Sequence, residues 1–331
     1  MKQPYLLFLG SEKVIENAKT AAGIAYWRPE ACKGQFRLEG GTIDLGLPDL
    51  DLDEAVAAGI KTLVIGIAPF GGKIEASWVS VILTALEKGL DVAAGLHDRL
   101  QDHPEISQIA KTHGRTLYDI RKSDKKFDVG TGEKRTGMRL LTVGTDCAVG
   151  KKYASLAIEK EMKSRGVNAD YRATGQTGIF IAGTGISVDA VVADFISGAA
   201  ETLSPANDAD HWDIIEGQGS LYHPSYAGVT VGLMHGSQSD KLVLCHNASL
   251  THMDGLPNFP IVDFGACMDG YLSIARLTNR NVEFAGFCIN TSKLSERDAL
   301  DYMQRVEETF GLPCCDPVRT GVAKIVDKLG F

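Results

Sequence analysis

The stretch Leu140-Leu-Thr-Val-Gly144-Thr-Asp-Cys-Ala-Val-Gly150-Lys151-Lys152 is an apolar run, a loop with glycine at both ends, and a lysine pair that opens a helix. Behind it Ala154, Ala157, Ile158 and Met162 make the apolar stripe of that helix, and Gly166 ends it. A helix N-terminus carries unsatisfied N–H groups and a partial positive charge, so a glycine-bounded loop feeding one cradles phosphate. Strand, loop, lysine and helix in this order are what a P-loop requires. Gly144, Thr145, Asp146, Cys147, Ala148, Val149, Gly150, Lys151 and Lys152 are therefore expected to bind a phosphorylated cofactor; the bland alternative is a plain turn with a surface lysine. Two details depart from the common form. Five residues separate the glycines rather than four, and Lys152 stands where a Ser or Thr hydroxyl would ligate Mg²⁺. An ammonium repels a metal but neutralises phosphate directly. A pyrophosphate held without a metal is the expectation, and no metal site is expected.

The same alternation extends in both directions. Upstream, Tyr5–Leu9, Thr62–Ile67 and Asp91–Ala94 read as strands covered on both faces. Ala76–Lys88 reads as a helix with Val79, Ile82, Leu83 and Leu86 on one side and Gly89 at its end. Downstream, strands are expected at 139–143, 213–215, 241–245 and 284–289, and helices at 151–165, 187–199, 295–310 and 320–329. Ser295 with Asp298 marks a helix start. Strand–helix–strand at this spacing means a parallel α/β sheet. Between the halves, Arg121–Gly137 is densely charged and nearly free of apolar residues. The expected division is a domain at 1–124, a linker at 125–137 and a second domain at 138–331.

Composition bounds the function. A chain of 331 residues has room for about two domains, and 44% hydrophobic residues exclude disorder. Lys plus Arg 34 against Asp plus Glu 42 gives −8, without the basic face of a nucleic-acid or membrane-surface binder. Seven scattered cysteines read as reduced thiols rather than a disulfide framework or a zinc site. No signal segment and no run long enough to span a bilayer is visible, so a cytoplasmic protein is expected. A symmetric homo-oligomer is common for an enzyme of this size.

Further candidates lie just beyond strands, at the edge where open α/β sheets bind ligands. Glu216 follows Asp213-Ile-Ile215, and His223 lies seven residues on. Thr174, Gln176 and Thr177 form an uncharged polar loop able to donate to a phosphate or a substrate. In the first half, Pro69-Phe70-Gly71-Gly72 and Gly95-Leu-His97 both follow strands, but no Gly-x-Gly-x-x-Gly appears, so a nicotinamide cofactor is not expected.

Two resemblances add to this. The long phosphate loop, with Gly-Thr-Asp at its start and Val-Gly-Lys at its end, is similar to that of dethiobiotin synthetases. Glu216-Gly-Gln-Gly219 looks like their acidic glycine-rich segment, and Asn290 resembles their adenine-recognising position. Taken together, Ala173-Thr-Gly-Gln-Thr-Gly178, Ile215-Glu-Gly-Gln-Gly-Ser220, His223-Pro224 and Gly95-Leu-His97 resemble a two-domain family that includes bacterial D-glutamate N-acetyltransferases. The resemblance spans nearly the whole chain. It implies a Rossmann-like N-terminal domain, a P-loop NTPase-type C-terminal domain, and N-acetyl transfer from acetyl-CoA to a small acidic amino acid, D-glutamate. Glu216 or His223 would then be the base, and Asn290 a cofactor contact. The alternatives are an ATP-dependent carboxylate-activating ligase, which Lys152 opposes, and a non-catalytic nucleotide-binding module.

Overall fold

Apolar runs without polar alternation form strands buried on both faces. The first, β1 (Tyr5–Gly10), is buried at every position in the computed structural model, which describes residues 1–67, 72–122 and 125–331. With β2 (Cys32–Arg37), β3 (Thr62–Ile65), β4 (Asp91–Ala94) and β5 (Leu117–Asp119) it makes a five-stranded sheet in the order β2-β1-β3-β4-β5. All its pairs are parallel, the doubly wound arrangement. Its helices are α1 (Lys19–Trp27), α2 (Leu52–Ala57), α3 (Ala76–Glu87) and α4 (Pro104–Thr112).

Three expectations shift in detail. β3 stops at Ile65 rather than Ile67: the Gly66 N–H still donates to Phe8 O on β1, but its carbonyl turns to accept the Ala21 N–H at the start of α1. The stripe of α3 is rotated: Trp78, Ile82, Ala85 and Leu86 are buried, while Val79 and Leu83 are half-buried. Trp78 sets that rotation by packing edge-on to Phe8, 5.7 Å between ring centroids. β2 and β5 carry too few apolar residues to stand out in the sequence, since both are sheet edges. Pro69-Phe70-Gly71 lies outside the described residues. Gly72 and Gly95-Leu-His97 do meet, with Gly72 against the His97 ring.

The second sheet comprises β6 (Met138–Gly144), β7 (Ala169–Arg172), β8 (Trp212–Ile215), β9 (Lys241–Asn247), then, past a hairpin of β10 (His252–Met253) and β11 (Leu256–Pro260), β12 (Glu283–Asn290) and β13 (Cys314–Cys315). Its order is β13-β12-β9-β6-β8-β7, parallel throughout. The chain's other helices are α5 (Lys151–Ser164), α6 (Gln176–Ala182), α7 (Ile196–Leu203), α8 (Ala227–Ser237), α9 (Phe264–Ala275), α10 (Glu296–Phe310) and α11 (Ala323–Leu329). The Ser295 hydroxyl caps α10 by accepting the Asp298 N–H, as its sequence signals. The helix expected over 187–199 is instead two short 3-10 turns followed by α7, because Val192 is extended and interrupts it. α11 begins at Ala323 rather than 320, after the left-handed Gly321. Among the described residues no helix is long and apolar enough to cross a membrane.

The chain divides into two compact units. The first runs to Lys122 and also takes in Gln176–Ser187; the second holds the rest from Lys125. Helix α6 thus belongs with the first sheet, where the Thr177 and Thr20 hydroxyls lie 3.1 Å apart. At the base of this insertion the Val188 N–H donates to Thr174 O, so the outgoing and returning chain are bonded side by side.

Residues 125–137 form no helix or strand and are fastened to the second unit by polar bonds. Thr131 donates to the Glu201 carboxylate and Lys134 to Asp240. The anchor is Arg139, fully buried on β6. Its guanidinium donates to Ser204 Oγ and to the carbonyls of Arg135, Thr136, Gly137 and Pro205 at 2.8–3.1 Å. All five donors of the fork are used. Arg139→Ala strands several buried acceptors, so it is expected to cost about 3 kcal/mol or more in urea unfolding; Arg139→Lys recovers only part, because three donors cannot replace the fork.

Candidate functional site

β6 lies in the middle of the second sheet, so the loop at its carboxyl end meets those leaving β7, β8, β9 and β12. Gly150 takes the left-handed conformation (φ 99°) that lets the phosphate loop turn into α5. Lys151 is buried and donates from Nζ to the carbonyls of Asp146 and Cys147, both at 2.7 Å. Burial pulls its pKa down, and nearby acidic groups, Glu216 among them, act in the opposite sense. The side chains of Thr145 and Asp146 support the loop. Thr145 Oγ1 lies 2.8 Å from His246 Nδ1, and the Asp146 carboxylate accepts the N–H groups of Cys147 (2.6 Å) and Asp254 (2.7 Å). Ala148 is exposed at the tip. Lys152, half-buried at the start of α5, lies over the Tyr153 ring at 5.4 Å.

Glu216, 4% exposed, sits just past β8. Its Oε2 accepts the N–H groups of Thr174 (3.0 Å) and Gly175 (3.1 Å), and the Thr174 hydroxyl donates to its backbone carbonyl. Burial raises its pKa, while the Lys152 charge and the two amides act against that rise. Gly217 lets this segment lie on β6: a Cβ there would stand 1.8 Å from Thr142 O. Glu216, Thr174, Lys151 and Lys152 thus belong to one electrostatic neighbourhood at the head of β6. Gln176 and Thr177 fall in the first unit, where Gln176 packs on Gly95.

His223 meets the other side of the loop. One of its ring nitrogens, Cys147 Sγ and an Asp146 carboxylate oxygen all lie within 4.8 Å of one another. Both Asp146 oxygens already accept amides, His223 Nδ1 accepts the Ser225 N–H, and burial pushes the Cys147 thiol up to about 11.

Asn290, at the end of β12, lines a cavity of about 420 Å³ together with Val149, Gly150 and Tyr153 from the loop and helix. The facing wall is Pro317, Val318 and Arg319. Arg319 Nε donates to the Thr291 hydroxyl and its Nη2 to Leu294 O, while Asp316 accepts from Thr291. This wall was not singled out in the sequence, although the proline-flanked Cys-Cys-Asp316 run after α10 was a readable signal. Nothing in the sequence marks Tyr271 on α9. Its hydroxyl donates to Gly144 O at 2.7 Å and accepts the Leu221 N–H at 3.0 Å, tying the phosphate loop to the segment that carries His223.

Comparison with known proteins bears on this geometry. Residues 36–123 match the DUF1611 N-terminal domain, described as a Rossmann-like domain of unknown function. Residues 128–326 match the DUF1611 C-terminal domain, described as a P-loop domain of unknown function. The chain is 48% identical over 329 residues to a D-glutamate N-acetyltransferase from Tritonibacter scottomollicae and 46% identical to one from a Pseudoalteromonas species, with 99% of each chain covered. A crystal structure of a DUF1611 family protein from Anabaena variabilis superposes with a TM-score of 0.87 at 31% identity, again over 99% of both chains.

His246, which supports the loop through Thr145, gives a pH test. Burial lowers its pKa from the ordinary 6.5 to about 4. Between those values the unfolded chain takes up a proton that the folded one refuses, so stability falls as pH drops through that window. The His246 contribution is about 3 kcal/mol across it. Denaturant unfolding of wild type and His246→Asn at pH 7 and pH 4.5 is expected to differ by a smaller pH slope in the variant.

Proposed function

The chain belongs to the DUF1611 family, and from that premise we propose that it is an acetyl-CoA-dependent N-acetyltransferase whose acceptor is D-glutamate. The observation that carries this reading is its near-full-length identity to two enzymes of that name. The C-terminal unit has features suited to the donor. Loop amides and two successive lysines match a pyrophosphate, and the cavity beside Asn290 is walled by flat and apolar groups that suit an adenosine.

Transfer from a thioester needs a free amine, a stabilised oxyanion and reactants held together. Glu216 takes the proton of the substrate ammonium. Its raised pKa, caused first by burial, supports that role. The amine adds to the thioester carbon, the adduct collapses with cleavage of the C–S bond, and CoA leaves as a thiolate that takes up a proton. Thr174 and Gly175 position the base through their N–H groups.

The alternative of an ATP-dependent ligase needs Mg²⁺ at the loop. The Lys152 ammonium, which acts on Glu216 electrostatically, opposes a dication there. Thiol release from acetyl-CoA separates the two readings. The expected result is release that requires D-glutamate, does not occur with L-glutamate, and is unaffected by EDTA. No release, with turnover seen only with Mg-ATP, overturns the proposal.

Two substitutions test the roles. Glu216→Gln is expected to lower kcat by about a hundredfold to ten-thousandfold and to abolish an acid limb of kcat/KM lying above the ordinary glutamate value of 4.5. Lys152→Thr, which restores the common loop residue, is expected to raise KM for acetyl-CoA by about tenfold to a hundredfold, the worth of a charge-assisted phosphate contact.

A further inference from the structure

His223 is held in a single orientation by its own turn. It is 5% exposed, its N–H donates to Ser220 O, and its carbonyl accepts the N–H groups of Tyr226 and Ala227. Its ring lies against that of Tyr226, 4.6 Å between centroids and tilted by 32°. Inside the turn the Ser225 N–H donates to Nδ1 at 3.1 Å. A nitrogen that accepts a hydrogen bond presents its lone pair, so the one proton of the neutral ring sits on Nε2. The ring abuts Asp146 and Cys147 at the start of the phosphate loop.

We propose that His223 is a hydrogen-bond donor whose Nε2–H stabilises the oxyanion on the thioester carbonyl, and that it does not remove the substrate proton. The inference rests on the acetyl-transfer reading. A base at Nε2 would need its lone pair there, which moves the ring proton to Nδ1 and sets it against the Ser225 N–H. The turn therefore favours one tautomer, and that tautomer donates. As the amine adds to the carbonyl carbon, the π electrons move onto oxygen, where the Nε2–H meets them. When the C–S bond breaks they return, and the proton stays on Nε2 throughout. Glu216 moves the proton and His223 holds the developing charge. Cys147, its thiol raised by burial, offers no competing nucleophile.

The test combines a tautomer measurement with two variants of the full chain. In ¹⁵N-histidine-labelled protein the His223 Nδ1 is expected to show the shift of an unprotonated acceptor. His223→Ala is expected to lose about a hundredfold to a thousandfold in kcat with little change in KM for acetyl-CoA. His223→Gln places an amide N–H near Nε2 but cannot act as a base; it is expected to recover about tenfold or more over His223→Ala and to keep the wild-type acid limb. Thermal melts of both variants check that they fold. A protonated Nδ1, a folded His223→Gln no better than His223→Ala, or an undiminished His223→Ala each overturns the donor role alone. Absence of D-glutamate-dependent thiol release by wild type defeats the acetyl-transfer reading and this role with it.

Discussion

The arrangement at the head of β6 depends on one buried ammonium. Lys151 folds back so that Nζ is met by the carbonyls of Asp146 and Cys147, and among the described residues it forms no ion pair with a carboxylate. Those two carbonyls engage two of its three hydrogens, and the nearby charges of Asp146 and Glu216 offset part of the cost of burying it. The rest of the loop is built to hold that geometry: Asp146 clamps two amides, Thr145 is bonded to His246, and Tyr271 fastens the carbonyl of Gly144.

Glu216 is the counterpart, a buried carboxylate held by two backbone amides from the loop after β7. In a metal-dependent P-loop such a carboxylate serves the cation. Here the Lys152 charge acts on Glu216 from the start of α5, against the rise that burial causes in its pKa. The polar loop that begins at Thr174 therefore acts on Glu216 in the second unit, while Gln176 and Thr177, two and three residues on, already belong to the first.

Much of the fold was legible because of how buried parallel strands are written. β1, β3, β4, β6, β8, β9 and β12 all lie inside sheets, where both faces are covered and the sequence becomes a continuous apolar run. The elements that escaped notice are edge strands with few apolar residues such as β2 and β5, or elements too short to show a period, such as β13 and α6. The helix expected over 187–199 failed for a local reason: an apolar pattern of the right period does not reveal that Val192 stands extended and exposed.

Of the site, the sequence by itself determined the phosphate loop, the lysine in place of a hydroxyl and the acidic residue past a strand. Each is a matter of residue type at a fixed distance from a strand end, and parallel α/β topology sends all such ends to one edge. Only the tertiary structure decided which bonds these residues make. Thr145 and Asp146 turned inward to hold the loop, Gly217 proved necessary for close approach to Thr142, and the Ser225 amide came to donate to His223 Nδ1. Those outcomes depend on hydrogen bonds between groups two to more than a hundred residues apart. A linear pattern cannot assign such bonds, because each polar group has several possible partners until the chain is folded around it.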